Sequence, residues 1–270
     1  MNHQQRKTMT RYVFAILFLM TCAAVVWRLI IASSAVDAVP AVQIEQITWQ
    51  QTKVTVVQVD LRESDFRLFW RDPQQQLYRR FEALRADLAK HDLSLRFAMN
   101  AGMYHADRAP VGMLMQEGQL KAPLNTANGT GNFFLQPNGV FAVTQAGQAV
   151  IEPTSNFAQR ELSTIRWATQ SGPMLLSNGN INPLFNPESN SRYIRNAVGR
   201  VDENRLVFVI SEQPISFYGL ASVLKNQLDC KDALYLDGTI SGLYDAKRAQ
   251  NPQPEDYGVI LGVVKSTPNY

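Results

Sequence analysis

Cysteine is nearly absent from the chain. Of 270 residues only Cys22 and Cys230 are cysteine, and Cys22 stands in an apolar run near the N-terminus. A single remaining cysteine cannot close a disulfide within the domain, so the fold must rest on packing. Histidine is equally scarce, with three residues, and no Cys pair has metal-ligand spacing, which argues against a structural zinc site. The paired His and Asp ligands of a metal-dependent phosphodiesterase are missing too. No run of Lys and Arg occurs. The formal net charge of +3 arises in the first 35 residues, where Arg6, Lys7, Arg11 and Arg28 are unaccompanied by any acid. Without those four of the 26 basic residues, 22 face 23 acidic ones, a net of −1. Such a near-neutral domain lacks the electrostatic footprint of a nucleic-acid binder, and no nucleic-acid partner is expected. Internal repeats, heptads and low-complexity tracts are also lacking.

What is present begins with a leader. Arg6, Lys7 and Arg11 precede an uncharged run from Tyr12 to Trp27, and after Arg28 the residues Leu29, Ile30 and Ile31 extend it to nearly the ~20 residues of a membrane-spanning helix. Residues 1–35 read as a signal peptide or an N-terminal membrane anchor, 36–42 as a linker, and 43–270 as one globular domain. Small residues at Ser33 and Ala35, or Val36 and Ala38, suit cleavage, whereas the preceding positive charge would hold the N-terminus inside if the segment stays as an anchor. Either fate makes this an exported chain, periplasmic or otherwise extracytoplasmic, touching the membrane only through its N-terminal segment.

Periodicity then sets the elements. Alternating or β-branched patterns predict strands over Gln43–Trp49, Thr52–Asp60 and Phe66–Arg71. Leu77, Phe81, Leu84 and Leu88 recur at helical spacing and predict an amphipathic helix with Arg79, Arg80, Arg85 and Lys90 outside. Further strands are predicted at Leu95–Met99, Val207–Ile210, Ala233–Leu236 and Tyr257–Val264. The dipeptides Glu117-Gly118, Asn138-Gly139 and Asn178-Gly179 predict hairpins. Ser216 can cap a second helix that turns Phe217, Leu220, Val223, Leu224 and Leu228 inward. Many strands with two helices predict an α+β domain with a mixed or antiparallel sheet core and packed helices. Long polar connections over 122–132 and 182–191 mark where a site would lie.

Four segments carry candidate chemistry, and each has a plain reading beside the functional one. Asn100-Ala101-Gly102-Met103-Tyr104 could simply end a strand in a turn, or Asn100 could offer its amide to a ligand while Gly102 lets backbone N–H groups approach an anion. Gln170-Ser171-Gly172-Pro173-Met174 leads into a hairpin. Arg195-Asn196-Ala197-Val198-Gly199 enters a strand with a guanidinium that is either solvated or a partner for phosphate or carboxylate. Leu236-Asp237-Gly238-Thr239-Ile240-Ser241 ends an apolar strand in an acid, which is either an Asp-Gly turn or a carboxylate tuned by partial desolvation. His105 reads as a surface residue or as a general acid or base.

In this order the four segments resemble the phosphodiester glycosidase family over about Leu95 to Val264. Family patterns of Asn-Gly-Gly or Asn-Ala-Gly, Ser-Gly-Pro, Arg-x-Ala-x-Gly and Leu-Asp-Gly-Gly-x-Ser look like residues 100–102, 171–173, 195–199 and 236–241, with Thr239 replacing the second glycine of the last and Ser211-Glu212 standing where an Asp-Gly often follows the penultimate core strand. The resemblance implies an envelope hydrolase that cleaves a sugar-1-phosphodiester at the anomeric carbon without a cofactor or metal. It implies Asp237 as the leading carboxylate, Arg195 and Ser241 as holders of phosphate or sugar oxygens, and Asn100 and Gly102 as pocket lining. Ser171, Gly172, Asn196, Gly238 and His105 complete the candidate substrate contacts. Glycoside cleavage usually uses two carboxylates. Asp107, Glu117, Asp202 and Glu212 are candidates for the second, and Glu212, just past a strand end, is preferred. The alternative is a glycan-binding module of the envelope that keeps the pocket without turnover.

Overall fold

β-Branched residues dictate the architecture of the chain, whose computed structural model describes residues 41–237, 241–247 and 256–267. The leader expected over 1–35, and the linker up to residue 40, lie outside the described residues. Among the described residues no helix is long and apolar enough to cross a membrane.

Val54, Val56, Val57 and Val59 are buried in an extended segment whose both faces are covered, as their shape favours. That segment is the second strand of a seven-stranded sheet. Its order runs β1 (Val42–Trp49), β2 (Thr52–Asp60), β13 (Arg205–Ser211), β12 (Asn196–Arg200), β14 (Asp232–Tyr235), β10 (Met174–Ser177) and β11 (Asn180–Ile181). A four-stranded sheet is ordered β15 (Leu243–Asp245), β4 (Leu93–Asn100), β16 (Ile260–Ser266) and β3 (Asp65–Phe69). A third sheet is ordered β6 (Gln119–Ala122), β5 (Leu114–Gln116), β9 (Ile165–Ser171), β7 (Gly139–Thr144) and β8 (Ala149–Pro153).

Helices are few: α1 (Phe81–Ala89), the single turn α2 (Thr154–Phe157) and α3 (Phe217–Asn226). Helix α1 buries Phe81, Leu84 and Leu88 in a cluster with Leu95 and Ile260 of the four-stranded sheet. Helix α3 buries Leu220, Val223 and Leu224 against Val56, Ala197 and Val209 of the seven-stranded one. Its start is fixed as expected, since the Ser216 hydroxyl accepts a hydrogen bond from the Gly219 N–H at 3.0 Å. The chain is thus mostly antiparallel sheet with a minor helical part.

Three expectations change. Every strand pairing among the described residues is antiparallel, so the mixed alternative falls: β13 and β14 do run the same way, but β12 stands between them. Leu77 is outside α1, because Arg79 takes the left-handed φ of +61° and Leu77 instead bridges to Arg71. Asn138-Gly139 makes no hairpin. The Asn138 side chain is buried and donates to the Phe133 carbonyl, and Gly139 opens β7 in close contact with Met174, where a β-carbon would have no room. The turn joining β7 to β8 lies further on, at residues 145–148, around Gly147 with φ +80°. The Glu117-Gly118 and Asn178-Gly179 hairpins form as predicted, each with both residues at positive φ.

The sheets meet at Phe208 of β13. Its ring lies 5.3 Å from Phe97 of β4, and 6.0 Å from both Phe66 of β3 and Phe141 of β7. One side chain therefore touches all three sheets. Phe208→Ala should cost about 3–5 kcal/mol, because it removes an aromatic ring and leaves a cavity that three sheets cannot close together. Guanidinium-induced unfolding measures this, and a loss below about 1 kcal/mol would show that the junction repacks.

Candidate active site

The site grows from the ends of β12 and β14, where the antiparallel ladder runs one rung beyond the strands. The Leu236 N–H donates to the Asn196 carbonyl at 3.2 Å, and the Asn196 N–H to the Asp237 carbonyl at 3.4 Å. Arg195 and Asp237 thus sit at the same end of the sheet.

Asn196 organises this edge. Its side-chain oxygen accepts from the Asp237 N–H at 2.8 Å, and its Nδ2 donates to the Asn100 carbonyl at 3.1 Å and to Asn100 Oδ1 at 2.9 Å. Asn100 Oδ1 also accepts from the Gly242 N–H at 2.9 Å. Asn100 and Asn196 are both buried, so these amides tie β4 of one sheet to β12 of another and hold the backbone before and after the Asp237 loop. Ser171 does similar work: its buried hydroxyl donates to the Leu236 carbonyl at 2.7 Å. Ser241 Oγ donates to the Asp237 carbonyl at 2.8 Å and closes the loop from the other side. Gly238 lies outside the described residues.

Arg195 is only 1% exposed. Nε donates to the Ile215 carbonyl at 2.9 Å and Nη2 to the Ser191 carbonyl at 3.3 Å, while Nη1 has no hydrogen-bond partner. The guanidinium lies 3.8 Å from the Phe217 ring centre and 5.2 and 5.4 Å from those of Tyr193 and Tyr235. Among the described residues no carboxylate pairs with it. Burial lowers its pKa, and three aromatic faces and two carbonyl oxygens are what hold the cation. Burial likewise pushes the Tyr235 hydroxyl up to about 12, with the Arg195 charge pulling it down and the Asp237 charge pushing it up. That phenol therefore feels both groups, and hydrogen bonding with Arg195 and with Asn132 pulls it down further.

Asp237 and Asn132 line a cavity of about 450 Å³, with Tyr104, His105, Asn125, Gly131 and Phe134 among the other walls. Asp237 is the one acid among the described lining residues. Gln170 supports the far wall. Its buried amide accepts from the N–H groups of Met113 and Asn125 and donates to the Asn125 carbonyl and to Thr154 Oγ1, satisfying all its capacity. His105 stands in a loop closed by the Tyr104–Pro110 bridge and tethered through Arg108, which donates to Asp256 at 3.0 Å.

The glycines of the predicted motifs serve packing. A β-carbon on Gly102 would run into the Gln170 carbonyl, and one on Gly172 would come within 2.6 Å of the Phe133 carbonyl. Neither lines the cavity, and nor do Asn100, Ser171, Arg195, Asn196 or Ser241; of the predicted contacts that are described, Asp237 and His105 do. Glu212 is placed at the β2 flank, where it accepts from Gln46 and from Thr55 Oγ1 at 3.2 Å. The other acids considered are tied to turns: Asp107 Oδ1 accepts from the Ala109 N–H, Asp202 Oδ1 from those of Asn204 and Arg205, and Glu117 forms the β5–β6 turn. Asn125 and Asn132 belong to the polar connection over 122–132 that the sequence marked, though neither was singled out, and Tyr235 escaped the sequence reading. A signal for Tyr235 existed, because it lies two residues before Asp237 and so shares its side of an extended strand. Among the described residues no three His, Cys, Asp or Glu side chains gather as a metal set would need.

Residues 94–259, from β4 to the edge of β16, match the family model described as phosphodiester glycosidase. The chain belongs to the phosphodiester glycosidase family. The match contains the Asn100, Ser171, Arg195 and Asp237 segments on which the resemblance rested. This phosphodiester glycosidase-family chain is 38% identical over 178 residues to the uncharacterized protein YigE of Escherichia coli (strain K12), covering 66% of this chain and 68% of that protein. Among solved structures, it is similar to the zebrafish N-acetylglucosamine-1-phosphodiester alpha-N-acetylglucosaminidase catalytic domain, auto-inhibited by pro-peptide. The TM-score there is 0.58 at 16% identity, with 84% of each chain covered. A hypothetical protein from Synechocystis gives a TM-score of 0.53 at 15% identity, covering 83% of this chain and 61% of that one. At such identities the structural likeness concerns the fold.

Removing the amide that joins these elements should be costly. Asn196→Ala leaves the partly buried Asp237 N–H without its acceptor and the buried Asn100 Oδ1 with the Gly242 N–H as its remaining donor, and about 1–3 kcal/mol of stability should be lost. Thermal and chemical unfolding check this, with an unchanged midpoint counting against the network.

Proposed function

We propose that the chain is a hydrolase that cleaves a sugar-1-phosphodiester at the anomeric carbon. The observation that carries this reading is that Asp237, the single acid among the described cavity walls, stands at the same end of the sheet as the buried Arg195 guanidinium, with which no carboxylate among the described residues pairs. Arg195 does not line the cavity and acts on it through its field alone, which favours an anionic ligand such as a phosphodiester. Tyr235, which feels both groups, links them electrostatically.

In the proposed reaction water adds to the anomeric carbon, the bond from that carbon to the phosphate oxygen breaks, and a phosphomonoester leaves. Such a leaving group is stable without a proton from the protein, so the demand for a second carboxylate is lighter than in ordinary glycoside cleavage. Asp237 would accept the proton of the attacking water or steady the positive charge that develops on the sugar. Arg195 would supply a preorganised field for the charge that accumulates on the phosphate. His105, at the cavity mouth, is available to the departing group, whereas Glu212 has hydrogen-bonding duties elsewhere.

Purified protein should release N-acetylglucosamine from a chromogenic N-acetylglucosamine-1-phosphodiester. Asp237→Asn should lower kcat at least about 100-fold with the fold intact, the scale of losing one acid–base role. Near-normal turnover in that variant would remove Asp237 from the chemistry, and sugar binding with no turnover by the native protein would favour a binding module. Arg195→Lys should weaken binding of the phosphodiester more than of the free sugar, because an ammonium cannot reproduce the guanidinium's spread of charge and donors. Equal losses for both ligands would argue against a phosphate nearby.

The leader motivates a second proposal, that the domain works outside the cytoplasmic membrane. Alkaline phosphatase fused after residue 40 should be active in a bacterial host, since that reporter folds only where disulfides form. An inactive reporter retained in the cytoplasm would overturn export.

A further inference from the structure

A second cavity, of about 290 Å³, adjoins the first, and the two share Asn132 as a wall. Its character differs. Phe185 and Phe217 stack within it at 5.2 Å, and Leu135 and Leu184 line its mouth, with Leu184 73% exposed. Tyr193, 58% exposed, and Ile194 follow closely on the lining residue Ser191. Four of the six large apolar side chains that the described surface exposes thus gather in this one region. A water-facing collection of that kind marks an interaction surface.

Several polar groups around the second cavity are already committed. Asn182 donates to the Met174 carbonyl and accepts from the Leu184 N–H, Asn186 Oδ1 accepts from the Glu188 N–H, and Ser189 Oγ accepts from the Ser191 N–H. A sugar would find few free partners there, whereas an aliphatic group needs none. The unpaired Arg195 guanidinium lies against two of the cavity's lining residues, bonded to the Ser191 carbonyl and 3.8 Å from the Phe217 ring centre. Through Tyr235 it also neighbours the shared Asn132. A positive charge therefore stands behind the partition between a polar cavity with an acid and an apolar one with none.

We infer that the second cavity is the subsite for the group beyond the phosphate, and that this group is an aliphatic chain. The inference rests on the hydrolase reading for its orientation: sugar beside Asp237, phosphate at the partition near Asn132 and Arg195, chain against Leu184, Leu135 and Phe217. The preferred substrate class is then an amphiphile, a sugar phosphate esterified to a hydrocarbon.

Binding of hexyl phosphate and methyl phosphate to the full chain, measured by calorimetry, tests the subsite without requiring turnover. Hexyl phosphate should bind at least about tenfold tighter, less than two fully buried methylenes would give. The variant carrying Leu184→Ser and Leu135→Ser should reduce that ratio below about threefold; both side chains are exposed, so the fold survives their loss. Comparison with this variant also cancels any uptake of the chain by the apolar leader. Equal affinities, or a ratio that the variant leaves unchanged, overturn the proposal. So does a dimer in sedimentation that the same variant dissociates, because the patch would then be a self-contact. Turnover of the corresponding N-acetylglucosamine-1-phosphodiesters separates the two readings. Cleavage of both with equal kcat/KM removes the aliphatic subsite and leaves the hydrolase. A hexyl preference in binding with neither diester cleaved does the reverse.

Discussion

The Asn196 amide is the constraint on which the site depends. It belongs to the seven-stranded sheet, reaches Asn100 in the four-stranded one, and holds the N–H of Asp237. Asn100 and Asn196 are buried and the Asp237 N–H is partly so, and a buried amide left without a partner is expensive, so the three segments are locked to a common position. Apolar packing around Phe208 brings the sheets together without specifying their offset to a fraction of an ångström; the directional bonds of an amide do. The carboxylate is thereby placed by the same contact that registers one sheet on another.

Arg195 shows how an electrostatic device can be stable and yet uncompensated. Desolvating a guanidinium is costly, and most buried ones meet a carboxylate. Here π-faces and carbonyl dipoles do the holding, so the net charge is not cancelled. A carboxylate in the same place would have made a tidier ion pair and a weaker field. The neighbouring phenol, pushed up to about 12 chiefly by burial, stays protonated over the whole physiological range and keeps its donor.

Much of the fold was legible in the sequence because burial leaves a period. The valines of β2 and the apolar set of α3 could fill few roles other than the ones they have. The start of α1 was not legible, because the spacing of Leu77 fits a helix as well as it fits a bridge, and what decides is the left-handed backbone at Arg79. Asn138-Gly139 misled for a related reason: glycine there serves contact with Met174, and a dipeptide does not say whether its glycine is needed for a turn or for room. The site divides in the same way. Asp237 and Arg195 were readable from their position at strand entrances and exits. Asn100, Ser171 and Asn196 were expected as substrate contacts, but their bonds run inward to the scaffold. Asn125 and Asn132 lie on a long polar connection with no period at all, and only the folded chain brings them to the cavity wall.

Strand β16 pairs with both β3 and β4, occupying the middle of its sheet although it comes from the end of the chain. The two segments beside it are synthesised more than 150 residues earlier and cannot complete their hydrogen bonding until it arrives. Closing so long a stretch of polymer is slow, and the half-sheet waits meanwhile with open edges. Assembly of the region around Asn100 therefore waits on β16, and a molecule lacking that strand would keep β3 and β4 each with an unpaired edge and the Asn100 end of the sheet unbuilt.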